Sequence, residues 1–322
     1  MPKKIVTVGE ILVEIMAVTP GNGFREPIEL VGPYPSGAPA IFIDQVARLG
    51  QPCAVVACVG DDDFGRLNVE RLRRDGVDIS GVAVDPIAVT GSAFVRYRAD
   101  GRRDFVFNIA QSANGRLAWT ERARAIVEGA NHLHVTGSSL GTPAIADAIL
   151  AAVELIKKNG GTISFDPNVR SEMLNSTGLR ARLDRVLADA DLFLPSDSEL
   201  MLFTDAATEQ EAIADILGRG VSAIVHKKGK LGARYIHPRE DISIPAFSVN
   251  EVDPTGAGDI FGATFVTGWL ARLPVFETLR RATAAGAIAV TRKGPMEGVS
   301  TVTEIEAFLA RQDAKCATVG AR

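Results

Sequence analysis

The sequence predicts an α/β protein with a mainly parallel central sheet flanked by helices, and three observations predict it. Short apolar runs closed by Pro or Gly, such as "PCAVVACVG" at 52–60, have the length of strands buried on both faces. Segments with helical periodicity, such as "FGRLNVERLRRDG" at 64–76 and "PAIADAILAAVELIKKNG" at 143–160, alternate with those runs. A chain of 322 residues, 46% hydrophobic and 23% charged, is long enough and apolar enough for a large core. Active groups are then expected at the carboxyl ends of the strands.

In chain order, "KKIVTVGEILVEIM" at 3–16 reads as one strand that stays extended through Gly9. A turn-rich stretch at 17–39 leads into an amphipathic helix at 40–50, the strand at 52–60 and the helix at 64–76. Strands follow at 131–137 and 161–168, around the helix at 143–160. A helix at 177–190, a strand at 191–196, a helix at 208–220 and a strand at 221–229 complete the alternation. The segment "DISIPAFSVNEV" at 241–252 then leads to "DPTGAGD" and to the apolar "IFGATFVTGWLARL" at 260–273. Two stretches, about 12–36 and 88–114, break the rhythm with β-branched and aromatic alternation and an "ADG" hairpin turn at 99–101. They read as a small β-appendage, either a lid over a pocket or an extension of the sheet edge. The expected organisation is one domain over 1–314 with these inserts, and a frayed tail at 315–322.

The formal net charge of -4 and the scattered Lys and Arg point away from nucleic acid. No apolar run reaches the roughly 18 residues of a membrane span, and the start lacks a signal-peptide cleavage site, so a cytoplasmic protein is expected. Cys53, Cys58 and Cys316 suit neither a disulfide framework nor a zinc site. His132 and His134 fall on one strand face with no Cys or carboxylate at ligand spacing, so a metal is not indicated there.

Within Asp253–Asp259, Gly256, Ala257 and Gly258 leave an extended segment and start a helix, where free N–H groups and the helix dipole favour an anion. Asp259, one residue on, can accept a hydroxyl proton while the amides hold charge on a phosphoryl group. A plain glycine turn with an acidic helix cap accounts for the heptapeptide equally well. No Lys is followed by Ser or Thr, which excludes a P-loop, and no G-x-G-x-x-G follows the first strand. The rival is "GSSLG" at 137–141, a G-x-S-x-G match with Ser139 as nucleophile and His226 or His237 in hydrolase order, but without an HGGG-type oxyanion motif.

Several stretches together resemble one family. "DPTGAGDIFGATFVTG" at 253–268 is similar to the C-terminal signature of the ribokinase-like (PfkB) carbohydrate kinases. "PSGAPAIFIDQVARLG" with "CVGDDDFG" resembles their N-terminal signature, and "FDPNVR", "LPSDSEL" and "VHKKGKLGA" follow in the family's order. The resemblance covers nearly the whole chain and implies a ribokinase-like fold with a β-sheet lid.

It also implies a function: transfer of the γ-phosphoryl group of ATP, with Mg²⁺, to a hydroxymethyl group of a sugar. Asp259 would be the base, Gly256 to Gly258 the anion hole, and Arg170 a charged fork for phosphate or carboxylate. Ser196, Lys227, Gly229 and Thr255 would line the nucleotide side. Glu199 would reach Mg²⁺ through water, and Asp253 with carbonyls near Thr255 and Gly294 would suit K⁺. Sugar contacts fall to Glu14, the Ser36–Gly37 turn, and Arg96, Arg98, Arg103, Phe105 and Asn108 of the appendage.

This sequence departs from the family where many members carry a sugar-binding Asp, an Asn and a paired glycine: it has Glu14, Ile41 and Ser36. Ser196 replaces the Asn of N-x-x-E. "FDPNVR" and the R-x-F piece of "RRDFVF" are similar to fructokinase-like and 2-keto-3-deoxygluconate kinase-like members, and the N-terminal third resembles tagatose-kinase-type sequences. A ketohexose is the expected acceptor and a sugar acid the alternative. A non-catalytic sugar sensor is a further alternative, against which the intact Asp259 stands. The open lid edge suits a homodimer.

Overall fold

The computed structural model describes residues 3–100, 102–169 and 178–320, with side chains through Lys315. Its elements are β1 (Ile5–Val8), β2 (Leu12–Ala17), β3 (Leu30–Ser36), α1 (Ala38–Arg48), β4 (Cys53–Gly60), α2 (Asp63–Asp75), β5 (Asp78–Asp85), β6 (Gly91–Tyr97), β7 (Arg103–Asn108), α3 (Glu121–Glu128), β8 (His132–Thr136) and α4 (Pro143–Lys158). Then come β9 (Thr162–Asp166), α5 (Leu179–Asp189), β10 (Leu192–Phe193), α6 (Glu209–Gly218), β11 (Ala223–Lys227), β12 (Ala233–His237), β13 (Glu240–Ile244), α7 (Ala257–Leu270), α8 (Val275–Ala289) and α9 (Val302–Gly320).

Nine strands form the large sheet in the order β13-β12-β11-β10-β9-β8-β1-β4-β5, parallel throughout except for the antiparallel pairs β11/β12 and β12/β13. Alternation along the strands divides the core in two. Val6, Val8, Leu133 and Phe165 pack against α4, α5 and α6, while Ile5, Val55, Ala57 and Val225 pack against α1, α7 and α8.

The run at 3–16 is not one strand. Gly9 still donates to Val56 O of the large sheet (3.1 Å), and a Cβ at Gly9 would lie 2.4 Å from Pro39 Cγ. Two residues on, the Asn114 amide brackets Ile11, accepting from its N–H (3.1 Å) and donating to its carbonyl (3.0 Å). The chain leaves the large sheet at that bracket and enters a second one. This four-stranded sheet, in the order β3-β2-β6-β7, joins both irregular stretches of the sequence. The sequence reading passed over β5, α3, β12 and α8; β5 is half-exposed along most of its length and shows no clean alternation. Helix α9 runs to Gly320, through most of the stretch expected to fray.

His132 and His134 are core residues. His132 sits between Thr162 Oγ1 (2.8 Å) and Ser164 Oγ (2.7 Å), and the His134 ring stacks on Phe42 at 3.6 Å. Burial pushes both below the usual imidazole range, His132 to about 3. Among the described residues no helix is long and apolar enough to cross a membrane.

Candidate active site

Helix α7 begins at Gly256, whose φ of 79° and near contact define the turn: a Cβ there would lie 2.3 Å from Pro295 O. Ile41, at the family's Asn position, packs its Cγ2 against the same point. Ala257 N–H turns back to Pro254 O in a long bond of 3.4 Å, whereas Gly258 is exposed at the helix mouth. These residues form the N-terminus of α7, where the helix dipole favours an anion.

Asp259 follows in the first turn and is buried. Burial pushes its carboxyl well above the usual range, Asp166 and Glu10 add to the rise, and Lys227 opposes it.

Lys227 ends β11 and Asp166 ends β9, and the ammonium donates to Asp166 Oδ2 in a buried ion pair. Burial lowers the Lys227 pKa, but Asp166, Glu199 and Asp259 together hold it raised, so the ammonium stays charged. A Cβ added at Gly258 would lie 3.7 Å from Lys227 Nζ, which places this cation beside the cradle.

Glu199 accepts from Ser196 N (2.7 Å) and Val169 N (2.8 Å), and Ser196 pairs in parallel with Lys227. Burial and then Asp166 push Glu199 up to about 7. Three carboxylates here share one ammonium, and Asp166 Oδ1, buried, accepts no hydrogen bond among the described residues. Among the described residues no three His, Cys, Asp or Glu side chains stand together at metal-holding distance, so a divalent cation at this corner would take few protein oxygens and keep most of its waters. Asn168, at φ 43°, holds the loop after β9 in a strained conformation at this corner. Arg170 lies outside the described residues.

Gly229, at φ 51°, opens a short turn after β11 that ends in the exposed Leu231, an open wall beside Lys227. Asp253 and Thr255 lie in the loop that opens α7. Asp253 is buried; its Oδ1 accepts from Tyr97 OH (2.7 Å) and Thr255 N (3.0 Å), and its Oδ2 accepts from Gly294 N (2.9 Å).

The small sheet sorts the sugar candidates by strand register. Glu14 lies opposite Tyr34 and Ala93, Val95 opposite Phe105, and Tyr97 opposite Arg103, so these side chains share one face. Tyr97 carries that face to Asp253, which makes it the face toward the site. Glu14 is buried, accepts from Ser36 Oγ at 3.4 Å, and leaves Oε1 without a partner among the described residues. Burial, then Asp253, push it up to about 7 against the pull of Arg103. Gly37 caps α1 at φ 110°, where a Cβ would lie 2.5 Å from Glu10 O. Arg103 stands over the Phe105 ring at 5.6 Å.

Arg96, Arg98 and Asn108 point the other way, which corrects the expectation that they touch substrate. Arg96 donates to Gly23 O (2.9 Å) and Glu26 (3.0 Å), Arg98 clasps Asp104, and Asn108 donates to Ser92 Oγ (3.2 Å). They staple the loop between β2 and β3 and the outer face of the hairpin. Ser139, the rival nucleophile, is buried and donates to Glu10 at 2.5 Å. His226 is bound to Asp197 O and His237 to Arg239 N, so neither is turned to Ser139.

The sequence profile of the pfkB family carbohydrate kinases matches residues 2–302. The chain belongs to that family. An E. coli protein assigned as ribokinase II, solved in an apo form and with ATP and Mg²⁺, is 47% identical, with TM-scores of 0.92 and 0.90 over 96% of this chain and 99% of that one. Fructokinase-2 of Oryza sativa subsp. japonica is 31% identical over 319 residues, 96% of this chain and 95% of its own length. A double mutant of fructokinase from Vibrio cholerae O395, solved with fructose, ADP and potassium ion, is 26% identical with a TM-score of 0.80 over 96% of this chain and 99% of that one. The family match and the structural likeness both span the large sheet, the small sheet and Gly256–Asp259 of this pfkB kinase. Tyr97, Tyr34 and Glu10 went unread in its sequence; a strand register would have marked the two tyrosines, since they share the face of Glu14.

Proposed function

We propose that this pfkB kinase transfers the γ-phosphoryl group of ATP to a hydroxymethyl group of a ketohexose, tagatose- or fructose-like. The observation that carries the reading is Asp259, buried in the first turn of α7 directly after Gly256–Gly258 and within electrostatic reach of Lys227 and Asp166. The sugar oxygen attacks the γ-phosphorus, its proton passes to Asp259, and the bond to ADP breaks with its electron pair leaving on ADP. Lys227 and the α7 amides hold the charge that spreads over the phosphoryl oxygens. Fructokinase relatives, and the ATP, Mg²⁺ and fructose bound in similar proteins, support it.

Asp166 and Glu199, the latter through water, would hold Mg²⁺, which supplies charge neutralisation between the phosphates. With every Asp253 oxygen already accepting, K⁺ would rest on carbonyls near Thr255 and Gly294 while Asp253 shapes the loop. One observation favours a sugar acid such as 2-keto-3-deoxygluconate instead: Arg103 faces the site and would meet a carboxylate. Exposed Val18, Leu30 and Phe107 of the lid suit a homodimer, and the cytoplasm suits an ATP-using enzyme.

A coupled ADP-release screen over ketohexoses, ribose, nucleosides and 2-keto-3-deoxygluconate, with and without Mg²⁺ and K⁺, tests the reading. Mg²⁺-dependent turnover with a ketohexose is expected. A clear preference for the sugar acid selects the second reading, and turnover on none overturns both.

A further inference from the structure

Tyr97 is the last residue of β6, and its hydroxyl crosses from the small sheet to the loop that opens α7. A phenol has one proton to give. It donates to Asp253 Oδ1 at 2.7 Å and can then accept from Thr255 Oγ1 at 3.0 Å. Asp253 is the junction of three chain segments: the lid through Tyr97, the cradle loop through Thr255 N, and the loop after α8 through Gly294 N. Thr255 directly precedes Gly256, which has no slack because Pro295 O backs onto it. A shift of β6 is therefore passed to the cradle within two residues.

We propose that Tyr97 is a positioning residue through which the lid sheet sets the geometry of the phosphoryl cradle, so that acceptor binding under the lid is coupled to transfer. The hydroxyl, rather than the ring, makes the connection. Burial raises the phenol's pKa, which keeps the donated proton in place. The inference rests on the kinase reading of the α7 corner, and its test has an arm that needs no sugar.

Tyr97→Phe keeps the ring and deletes the hydroxyl. With the best sugar of the screen, kcat is expected to fall about tenfold or more while the KM for ATP moves less than about twofold. Thr255→Val should lower kcat in the same way, and the double variant should lose no more than the worse single one. In the sugar-free protein, amide hydrogen exchange over 253–258 should quicken about tenfold in Tyr97→Phe, with exchange in β8 and β9 unchanged. Unchanged exchange over 253–258, or additive losses in the double variant, overturns the proposal whatever the substrate. Should Tyr97→Phe fail to fold, Thr255→Val decides alone: kcat within about twofold of wild type overturns it. Wild-type inactivity on every sugar, with quickened exchange in Tyr97→Phe, separates failure of the kinase reading from failure of the connection.

Discussion

The two halves of the site are built in different ways. In the transfer corner the decisive groups come from one short stretch, Asp253–Asp259, and from the ends of neighbouring strands β9 and β11. On the lid face they come from four strands at every second residue, and the pairing of those strands decides which side chains share a face with Glu14. Each region leaves a buried carboxylate oxygen without a partner among the described residues, Asp166 Oδ1 and Glu14 Oε1, but in the corner a buried ammonium faces the carboxylate, whereas on the lid face Glu14 accepts from the Ser36 hydroxyl.

The largest effects should fall in the corner. Asp259→Asn removes the base without changing its shape, and turnover should drop by about 10³-fold or more while ATP binding, read by calorimetry, persists. Near-wild-type turnover would take Asp259 out of that role. Gly256→Ala attacks the cradle instead. An added Cβ meets Pro295 O at 2.3 Å on a residue at φ 79°, so the loop must move. Loss of about 10²-fold in kcat is expected, with a lower melting temperature in the same variant. An unchanged kcat would mean that the amides at this turn do not carry transition-state charge.

Lys227→Met tests how far the corner's stability depends on its cation. Asp166 would be left as a buried carboxylate without a counter-charge, at a cost of about 3–5 kcal/mol, which denaturant unfolding would register. A cost near zero would show that Asp166 takes up a proton readily and that the pair is dispensable for folding. Either result bears on the corner and leaves the lid face alone.

This division explains what could be read from the residues alone. The alternation of apolar runs and helical periods specified the large sheet, because buried parallel strands are apolar on both faces. The cradle was legible because its glycines, its helix start and Asp259 are consecutive. Arg96, Arg98 and Asn108 looked like sugar contacts because composition does not say which way a strand faces. Tyr97, which the structure puts at the joint between the halves, carried no local signal: its partners, Asp253 and Thr255, lie more than a hundred residues along the chain. Gly9 misled in the same manner, since the switch between sheets depends on Asn114.

On the lid side the effects should be smaller and pH-dependent. Burial pushes the Glu14 carboxyl up to about 7, so the carboxylate, the form that would accept sugar hydroxyls on both oxygens, predominates only as pH rises through about 7. The KM for the sugar should therefore fall by about tenfold between pH 6 and pH 8, and Glu14→Gln should flatten that dependence. The stability sign is the opposite. A raised carboxyl pKa favours the folded state at low pH, and that contribution is lost as pH rises from about 4.5 through about 7. Wild type should thus lose melting temperature over that window relative to Glu14→Gln, and parallel curves would remove Glu14 as the titrating group.

The smallest contrast is the sharpest test of register. Arg103 and Arg98 are both lid arginines five residues apart, but Arg103 pairs across from Tyr97 on the site face, while Arg98 lies on the outer face and clasps Asp104. Arg98→Ala should leave sugar kinetics within about twofold of wild type, because the half-buried Arg98–Asp104 pair lies on the face away from Glu14. Arg103→Ala should raise the sugar KM by about fivefold, and by more for a sugar acid than for a ketohexose, since a guanidinium contributes most where it meets a carboxylate. Equal responses to the two substitutions would mean that the hairpin's facing has no bearing on the acceptor. A larger response at Arg98 would reverse the assignment of faces and return the sugar to the outer side of the lid.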